Sequence, residues 1–326
     1  MMSADASDPG DGKRPPFVTA VILNWNAAED TIGCASSLLA AAYSNLSIIL
    51  VDNASTDGSR EILASTFPDI PLLSLPINSG YAAGNNAGIR LALERGTDYI
   101  LVCNDDIVAD PSMVSALVGY GELHPEVGIV CAKVYYQSRP REIFSAAGHF
   151  NRLMCAGVNR GKLVFRSRDR ECLVNYICGA VFLARRQVFE ALGFLDERCF
   201  MYFEDLEFSR RVATKFQMGY TSAAVAYHKC GAGKGWQTYA ELYLYYQTRN
   251  RFWVFRKDPL WYRVYVFVFT MTIACAKAIV IFPNLLKGRE QGMRQQRALW
   301  KGLWDGLRSQ FSEEPVGSLQ GENHLR

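Results

Sequence analysis

The chain has 326 residues, of which 49% are hydrophobic and 21% are charged, and its formal net charge is +3. This composition excludes a chain that is disordered over most of its length, and so small a charge gives no argument for nucleic-acid binding. The nine cysteines form no CxxC pair and no repeated spacing. Neither a zinc ribbon nor a disulfide framework is therefore expected, and we expect reduced thiols in a cytoplasmic setting.

Residues 1–16 (MMSADASDPGDGKRPP) are small, acidic or turn-forming and contain no apolar run. We expect them to form a disordered lead-in rather than a signal peptide. From Phe17 onward, apolar strand patterns alternate with helical ones, and the strands are FVTAVILNWN, SIILVDNAST, PLLSLPI and YILVCNDD. This alternation predicts an α/β fold with a mostly parallel, doubly wound sheet and helices on both faces.

Polar side chains end each of these predicted strands. In a doubly wound sheet, ligands bind beyond the carboxyl ends of the strands, so these side chains would meet along one edge. They are Asn24, Asp52, Asn78, Asn104, Asp105 and Asp106. We divide the chain into a domain over residues 17–257 and a helical C-terminal region over residues 258–326.

Asp105 and Asp106 are adjacent carboxylates at the end of the strand YILVCN. A hard cation such as Mg²⁺ takes carboxylate oxygens and usually binds substrate phosphates as well. Asp105 is the better candidate for a metal ligand, whereas Asp106 is placed to cap the following turn. The alternative is a strand that simply ends in a polar turn.

Asp52 directly follows four apolar residues in SIILVDNAST. A carboxylate there can accept a hydrogen bond from the N3–H of a uracil or thymine ring, or it can close an Asx-turn. The later stretch NSGYAAGNNAG matches neither the Rossmann nor the P-loop spacing. It still allows the backbone to approach a ligand at a helix N-terminus, although tight packing of the loop would explain the glycines equally well.

Glu204 and Asp205 lie among aromatic residues in MYFEDLEF. Such neighbours raise the pKa of a carboxyl group and favour a general base, but an acidic first helical turn has the same pattern. His228 stands where an apolar stretch meets the glycine-rich loop of AYHKCGAGKG. It is either a metal ligand or a structural histidine.

These motifs occur in one order along the chain: VILNWN, VDNASTDGS, NSGYAAGNNAGI, LVCNDDIV, GAVFLARRQVFEALGFLDERCFMYFEDLEFSRRV, AYHKCGAGKG and YYQTRNRFWVFRK. The set resembles the family 2 glycosyltransferases of the GT-A fold, especially their rhamnosyltransferase-like branch. The resemblance covers residues 17–257 and implies a nucleotide-binding half (17–110) and an acceptor and catalytic half (111–257). The later stretch ALWKGLWDGL is also similar to that branch. It implies inverting, metal-dependent transfer of a sugar, such as L-rhamnose from dTDP-rhamnose, to a hydroxyl of a lipid-linked or cell-envelope glycan.

The same resemblance implies roles for individual residues. Asp205 would be the catalytic base, supported by Glu204, and Asp105 would hold Mg²⁺ or Mn²⁺ with His228 as a second ligand. Cys103 stands where the family's motif begins with Asp or Asn, which leaves Asp105 as the one carboxylate in the usual frame. Asp52 and Asn86 would hold the base of the nucleotide. The full set predicted to bind the nucleotide-sugar is Asn24, Asp52, Asn53, Asn78, Gly80, Asn86, Asn104 and Asp105.

Residues 264–282 form an apolar run of 19 residues with one charge, Lys277, which is about the length of a transmembrane helix. Basic residues flank both ends, and they are Arg256, Lys257, Arg263, Lys287 and Arg289. Symmetric flanks favour a helix in the membrane interface, anchored by Trp261, Tyr262 and anionic lipid. This predicts a cytoplasmic protein that is peripheral or membrane-associated at the cytoplasmic face of the inner membrane. A spanning helix, a buried helix and a homo-oligomer interface are the alternatives.

Three other functions compete with the leading one. A nucleotidyltransferase would want a basic, Gly-rich triphosphate loop near the first strand, and ILNWNAAED offers none. A non-catalytic membrane scaffold that binds nucleotide-sugar is supported by Cys103. A transferase of the same fold could also use a UDP-sugar as its donor.

Overall fold

The computed structural model describes residues 14–159, 170–229, 241–286 and 290–310. Most of the predicted lead-in lies outside these ranges, as do the glycine-rich loop after His228 and the basic residues Lys287 and Arg289. The strands are β1 (Val18–Asn24), β2 (Leu46–Asp52), β3 (Leu72–Ser74), β4 (Tyr99–Asn104), β5 (Ile107–Ala109), β6 (Val127–Tyr136), β7 (Arg139–Ser145), β8 (Gly148–Asn151), β9 (Ala156–Asn159), β10 (Cys172–Val174), β11 (Val181–Arg185) and β12 (Gln217–His228). The helices are α1 (Ala28–Leu39), α2 (Ser59–Thr66), α3 (Gly80–Glu94), α4 (Met113–Leu123), α5 (Arg186–Leu192), α6 (Glu204–Val212), α7 (Glu241–Val254), α8 (Leu260–Leu286) and α9 (Glu290–Ser309).

The central sheet has the strand order β10-β12-β6-β11-β4-β1-β2-β3. Strand β1 runs parallel to β2 and β4, β2 runs parallel to β3, and β12 runs parallel to β6. Strand β11 is inserted antiparallel between β4 and β6. The predicted α/β fold with a mostly parallel sheet is therefore confirmed.

Both faces of this sheet are covered, as the apolar strands predict. Every residue of β1 is buried, which is typical of a parallel strand between two layers of helices. Side chains alternate between the faces of a strand, so Ile22 packs in a cluster with Leu38 of α1. Its neighbour Val21 packs on the other face in a cluster with Ile89 of α3.

The register of the sheet brings the polar strand ends to one edge. Asn24 lies opposite Asp52 across β1 and β2, and Leu23 lies opposite Asn104 across β1 and β4. Strand β5 turns back to pair with β12, which places His228 opposite Ile107. The edge is therefore assembled from four segments that are far apart in sequence.

Helices α7 and α9 approach each other closely in the C-terminal region. A Cβ added to Gly302 would lie 2.6 Å from the carbonyl oxygen of Tyr245, and one added to Gly306 would lie 2.5 Å from Cδ2 of Phe252. Because only glycine leaves room for such a contact, these two positions set the spacing of the helices. The Tyr245 hydroxyl then donates to Oδ2 of Asp305 at 2.7 Å.

Helix α8 is longer than the predicted 19 residues, with 27 residues, and it includes Arg263. Its segment Leu260–Pro283 is long and apolar enough to cross a membrane by length and composition. Trp261 is 66% exposed. The prediction that Tyr262 is an interfacial anchor is wrong, because Tyr262 is buried and its hydroxyl donates to the Arg152 carbonyl at 2.8 Å.

Candidate functional site

Asn24 and Asp52 form a buried pair at the ends of β1 and β2. Nδ2 of Asn24 donates to Oδ1 of Asp52 at 2.8 Å and to Oγ of Ser55 at 3.0 Å. The other oxygen of Asp52 accepts from the Ser55 N–H at 3.2 Å, so the carboxylate also closes a turn. A carboxylate has about four acceptor positions, which leaves capacity for a ligand, and the base-binding role of Asp52 stays a prediction.

Asn53, Asn78 and Gly80 shape the start of α3. Oδ1 of Asn78 accepts from Nδ2 of Asn53 at 3.0 Å and from the Gly80 N–H at 2.9 Å. Gly80 has a φ of +83°, and a Cβ there would lie 2.4 Å from Cδ2 of Phe200. This contact with Phe200, in the loop before α6, is the tight packing that was the alternative for this glycine, and its role in binding the nucleotide-sugar stays a prediction.

Asn86 lies further along α3, and its amide is engaged within the protein. Nδ2 donates to the Leu195 carbonyl and to Oε1 of Glu197, each at 2.9 Å. Oδ1 accepts from the Leu195 N–H at 3.0 Å. The contacts of Asn86 fix the loop after α5, and they do not join it to the strand-end residues. Its base-binding role stays a prediction.

His228 pairs with Asp106 at the ends of β4 and β12. Nε2 of His228 lies 2.8 Å from Oδ1 of Asp106, which was the weaker of the two candidates for a metal ligand. Asp105, beside this pair, is partly buried, and burial followed by the charges of Asp106 and Asp30 raises its pKa to about 7. The site therefore concentrates negative charge, and a nearby cation would stabilise it.

The donor atoms at this edge suit a divalent cation that is shared with a substrate. Oδ1 of Asn104 is buried and has no hydrogen-bond partner within the described ranges. Amide and carboxylate oxygens with an imidazole nitrogen are ligand types for Mg²⁺ or Mn²⁺. Among the described residues, however, no group of three or more His, Cys, Asp or Glu side chains is placed to hold a metal ion. The residues fit a cation whose coordination is completed by phosphate oxygens.

Glu204 and Asp205 begin α6 as two adjacent carboxyl groups, of which Glu204 is buried and Asp205 is half-buried. Oδ2 of Asp205 accepts from the Tyr176 hydroxyl at 2.5 Å and from the Gly179 N–H at 3.4 Å. Burial raises the pKa of Asp205, and the hydrogen bond from Tyr176 opposes that rise. Burial followed by the charge of Asp205 holds the pKa of Glu204 well above its usual range. Such a pair favours one protonated and one ionised group.

A short segment connects this acidic pair to the polar edge at Asn104. The Asn104 N–H donates to the Ala180 carbonyl at 2.9 Å, and the neighbouring Gly179 N–H reaches Asp205. The hydroxyl of Tyr81, next to Gly80, donates to the Gly179 carbonyl at 2.6 Å. Residues 179–180 thus contact two of the predicted residues, Asn104 and Asp205, and place the polar edge of the sheet next to the acidic pair.

The loop before α6 is strained, a feature that the sequence did not reveal. Phe200, Tyr202 and Phe203 have φ values of +62°, +65° and +69°. Left-handed backbone at such residues costs about 1–3 kcal/mol each and is concentrated at functional sites. The strain lies directly before Glu204 and Asp205.

Two buried residues of α7 hold this loop, and sequence reasoning gave them no role. Nδ2 of Asn250 lies 2.8, 2.9 and 2.8 Å from the carbonyl oxygens of Cys199, Met201 and Tyr202. Nη2 of Arg249 donates to the Arg198 carbonyl at 2.6 Å. The sequence feature that could have indicated them is the polar stretch TRN, which includes Arg249 and Asn250, among the aromatic residues of this helix.

The family model "Glycosyl transferase family 2" matches residues 19–193. The chain is 27% identical over 217 residues to an N-acetylglucosaminyl-diphospho-decaprenol L-rhamnosyltransferase of Mycobacterium tuberculosis, and the match covers 60% of this chain and 70% of that protein. It is 26% identical over 206 residues to a low-salt glycan biosynthesis hexosyltransferase of Haloferax volcanii, with 60% and 61% covered.

Solved structures share the fold. A mannosyltransferase from Pyrobaculum calidifontis in complex with GDP-Man and Mn²⁺ aligns with a TM-score of 0.53 and 16% identity, over 90% of this chain and 88% of that one. GalNAc-T7 with UDP, GalNAc and Mn²⁺ aligns with a TM-score of 0.57 and 13% identity, over 66% and 44%. At such identities the likeness bears on the fold alone.

Proposed function

The chain belongs to glycosyl transferase family 2, has the GT-A fold and is a nucleotide-sugar glycosyltransferase, and from this premise we propose that it transfers L-rhamnose from dTDP-rhamnose to a lipid-linked glycan. The observation that carries the proposal is the segment of residues 179–180, which contacts both Asn104 and Asp205. The similarity to a rhamnosyltransferase whose named acceptor is a diphospho-decaprenol supports the choice of donor and acceptor.

We propose that Asp205 takes the proton from the acceptor hydroxyl as it attacks the anomeric carbon. The bonds from Tyr176 and Gly179 fix the orientation of its carboxylate, and its raised pKa makes it a stronger base. Glu204 stays protonated beside it, because burial and Asp205 both disfavour its ionised form. Attack on one face with departure from the other inverts the anomeric centre.

The donor diphosphate would bind at the polar edge of the sheet, beside Asp105. Asp105, Asn104 and the pair of His228 with Asp106 are the groups that would hold a Mg²⁺ or Mn²⁺ ion together with phosphate oxygens. When bound, the cation neutralises the diphosphate and makes it a better leaving group. Asp52, fixed by Asn24, would accept a hydrogen bond from the thymine ring.

We expect dTDP with Mn²⁺ to raise the Tm of the purified protein more than UDP or GDP does. A nucleotide at about 100 times its Kd stabilises the folded state by about 2.7 kcal/mol, which differential scanning fluorimetry resolves. Asp105→Asn is the matched control and should lose the part of the shift that depends on metal. A larger shift with UDP would indicate a UDP-sugar as the donor in place of dTDP-rhamnose. No shift with any nucleotide would overturn the proposal.

We also propose that α8 lies on the cytoplasmic membrane surface. Its exposed apolar residues recur on one side over its first turns, and they are Leu260, Trp261, Val264 and Val268. An apolar surface of this kind is typical of an interaction site. The neighbouring Lys257 would add attraction to anionic lipid.

The full chain should therefore sediment with phosphatidylglycerol vesicles. Replacing Trp261 with glutamate should weaken this binding by about tenfold or more, since a large apolar side chain contributes about 1.5–3 kcal/mol when buried. Trp25, which is exposed at the end of β1, gives the control variant Trp25→Glu. Equal loss in both variants, or no sedimentation of the wild type, contradicts the surface role of α8.

A further inference from the structure

Arg251 is a buried cation without a carboxylate partner in the part of the chain that the structure describes. Arg251 is 8% exposed, and its Nε has no hydrogen-bond partner among the described residues. Its guanidinium carbon instead lies over two aromatic rings, 5.3 Å from the centroid of Phe203 and 5.6 Å from that of Phe269. The two rings offset part of the cost of burying this charge, but no carboxylate among the described residues balances it, so we expect Arg251 to lower the stability of the ligand-free protein.

The neighbouring Arg249 shows what a structural arginine looks like in the same helix. It is also buried, and its guanidinium donates to the carbonyl oxygens of Arg198 and Cys199 and to Oδ1 of Asn250. The two arginines therefore differ in their partners rather than in their depth. Satisfied polar groups stabilise a fold, whereas an unsatisfied one marks a position kept for another reason.

The position of Arg251 connects the catalytic loop to the apolar helix. Phe203 directly precedes Glu204 and Asp205, and Phe269 lies on α8. Lys277, eight residues beyond Phe269, lies over the ring of Tyr243, 4.9 Å from its centroid. Burial, followed by the charge of Arg251, lowers the pKa of Lys277 to about 8. Two cations thus meet between the loop that carries the proposed base and the helix that we place on the membrane.

We propose that Arg251, together with Lys277, binds the diphosphate of the lipid-linked acceptor. The inference rests on the proposed function. A guanidinium recognises phosphate oxygens with two parallel hydrogen bonds, and a diphosphate supplies negative charge for both cations. The donor diphosphate is assigned to the edge at Asp105, whereas a lipid carrier would reach Asp205 along α8. The occupant that fits this position is therefore the phosphate group of the acceptor.

The first test is the sign of a change in stability. Arg251→Met removes an uncompensated buried charge, so the Tm of the ligand-free protein should rise by about 2–4 °C. Arg249→Met leaves carbonyl oxygens without donors and should lower the Tm. If Arg251 only braces the two aromatic rings, both variants lose stability and the inference is overturned.

The second test measures recognition of the diphosphate. Wild-type protein should bind farnesyl diphosphate more tightly than farnesol, and Arg251→Met should lose about 10–100-fold of that preference. Arg251→Lys should keep part of it, and dTDP should bind all three proteins alike. If Arg251→Met keeps the preference for farnesyl diphosphate, the inference is overturned. If it loses dTDP binding, Arg251 binds the donor diphosphate instead, which also overturns the inference. If wild type binds farnesyl diphosphate but transfers no sugar, the proposed function fails and the anion site stands.

Discussion

Replacing Asp205 with asparagine lowers the rate of sugar transfer by about 10²–10⁴-fold, the usual contribution of a general base. The amide keeps the shape of the side chain and still accepts the hydrogen bond from Tyr176, but it cannot take a proton from the acceptor. Donor binding should be unchanged, because the groups proposed to hold the donor diphosphate are at Asp105 and do not include Asp205. The turnover rate with dTDP-rhamnose and a diphospho-lipid acceptor, measured beside the Tm shift with dTDP, separates the two effects.

Glu204→Gln is the matched control for this prediction. Since burial and Asp205 keep the pKa of Glu204 well above its usual range, the side chain is already neutral and its amide isostere should change the rate far less. An equal loss in both variants would assign the base to the pair rather than to Asp205. Loss in Glu204→Gln alone would assign it to Glu204.

The pH dependence of the rate gives an independent check of the same base. A base acts in its ionised form, so the rate should fall as the pH falls through the raised pKa of Asp205. The hydrogen bond from Tyr176 lowers that pKa, so Tyr176→Phe should raise it and move the acidic limb of the profile to higher pH. A profile that does not move would mean that another group limits the rate.

The sheet and its polar edge could be predicted because they depend on short-range patterns. Apolar runs such as VTAVILN mark the buried strands, and the residue after each run marks a strand end. The partners of those residues could not be predicted. His228 meets Asp106 across a pairing of strands more than 100 positions apart, and Asn86 meets Glu197 across 111 positions. No local pattern encodes such contacts.

The departure at Cys103 has a physical explanation that sequence alone could not supply. Its side chain is buried, with its Sγ 3.7 Å from Sγ of Cys34 in α1. Cys103 therefore belongs to the core beneath the edge, whereas the next residue, Asn104, presents an unsatisfied oxygen. The thiol at position 103 therefore does not change the set of residues proposed to bind the cation. The scaffold hypothesis, which rested on Cys103, loses its main support.

The backbone of the loop before α6 was equally inaccessible to pattern reasoning. Aromatic residues disfavour a positive φ, so the sequence FMYF gives no indication of three left-handed residues. Hydropathy failed in a related way at Tyr262, since an apolar pattern does not distinguish a side chain buried against the protein from one that faces lipid. In both places, tertiary contacts override the local preference of the sequence.

Replacing Asn250 with aspartate should destabilise the protein by about 2–4 kcal/mol and reduce transfer by about 10²-fold. Aspartate has the same shape but no donor, so the carbonyl oxygens of Cys199, Met201 and Tyr202 lose their hydrogen bonds and face a negative charge. The loop would then relax from its left-handed conformation, and the start of α6 would shift. Chemical denaturation and the turnover rate measure the two effects.

Thr248→Val is the control variant, because Thr248 is buried in the same helix and its hydroxyl donates only to the Leu244 carbonyl of its own helix, at 2.7 Å. It should cost much less stability and leave the rate unchanged. If Asn250→Asp unfolds at lower denaturant but retains full turnover while folded, the loop does not depend on α7 for its geometry. If the rate falls with the KM for donor unchanged, Asn250 positions Asp205, and the strain of the loop is maintained for catalysis.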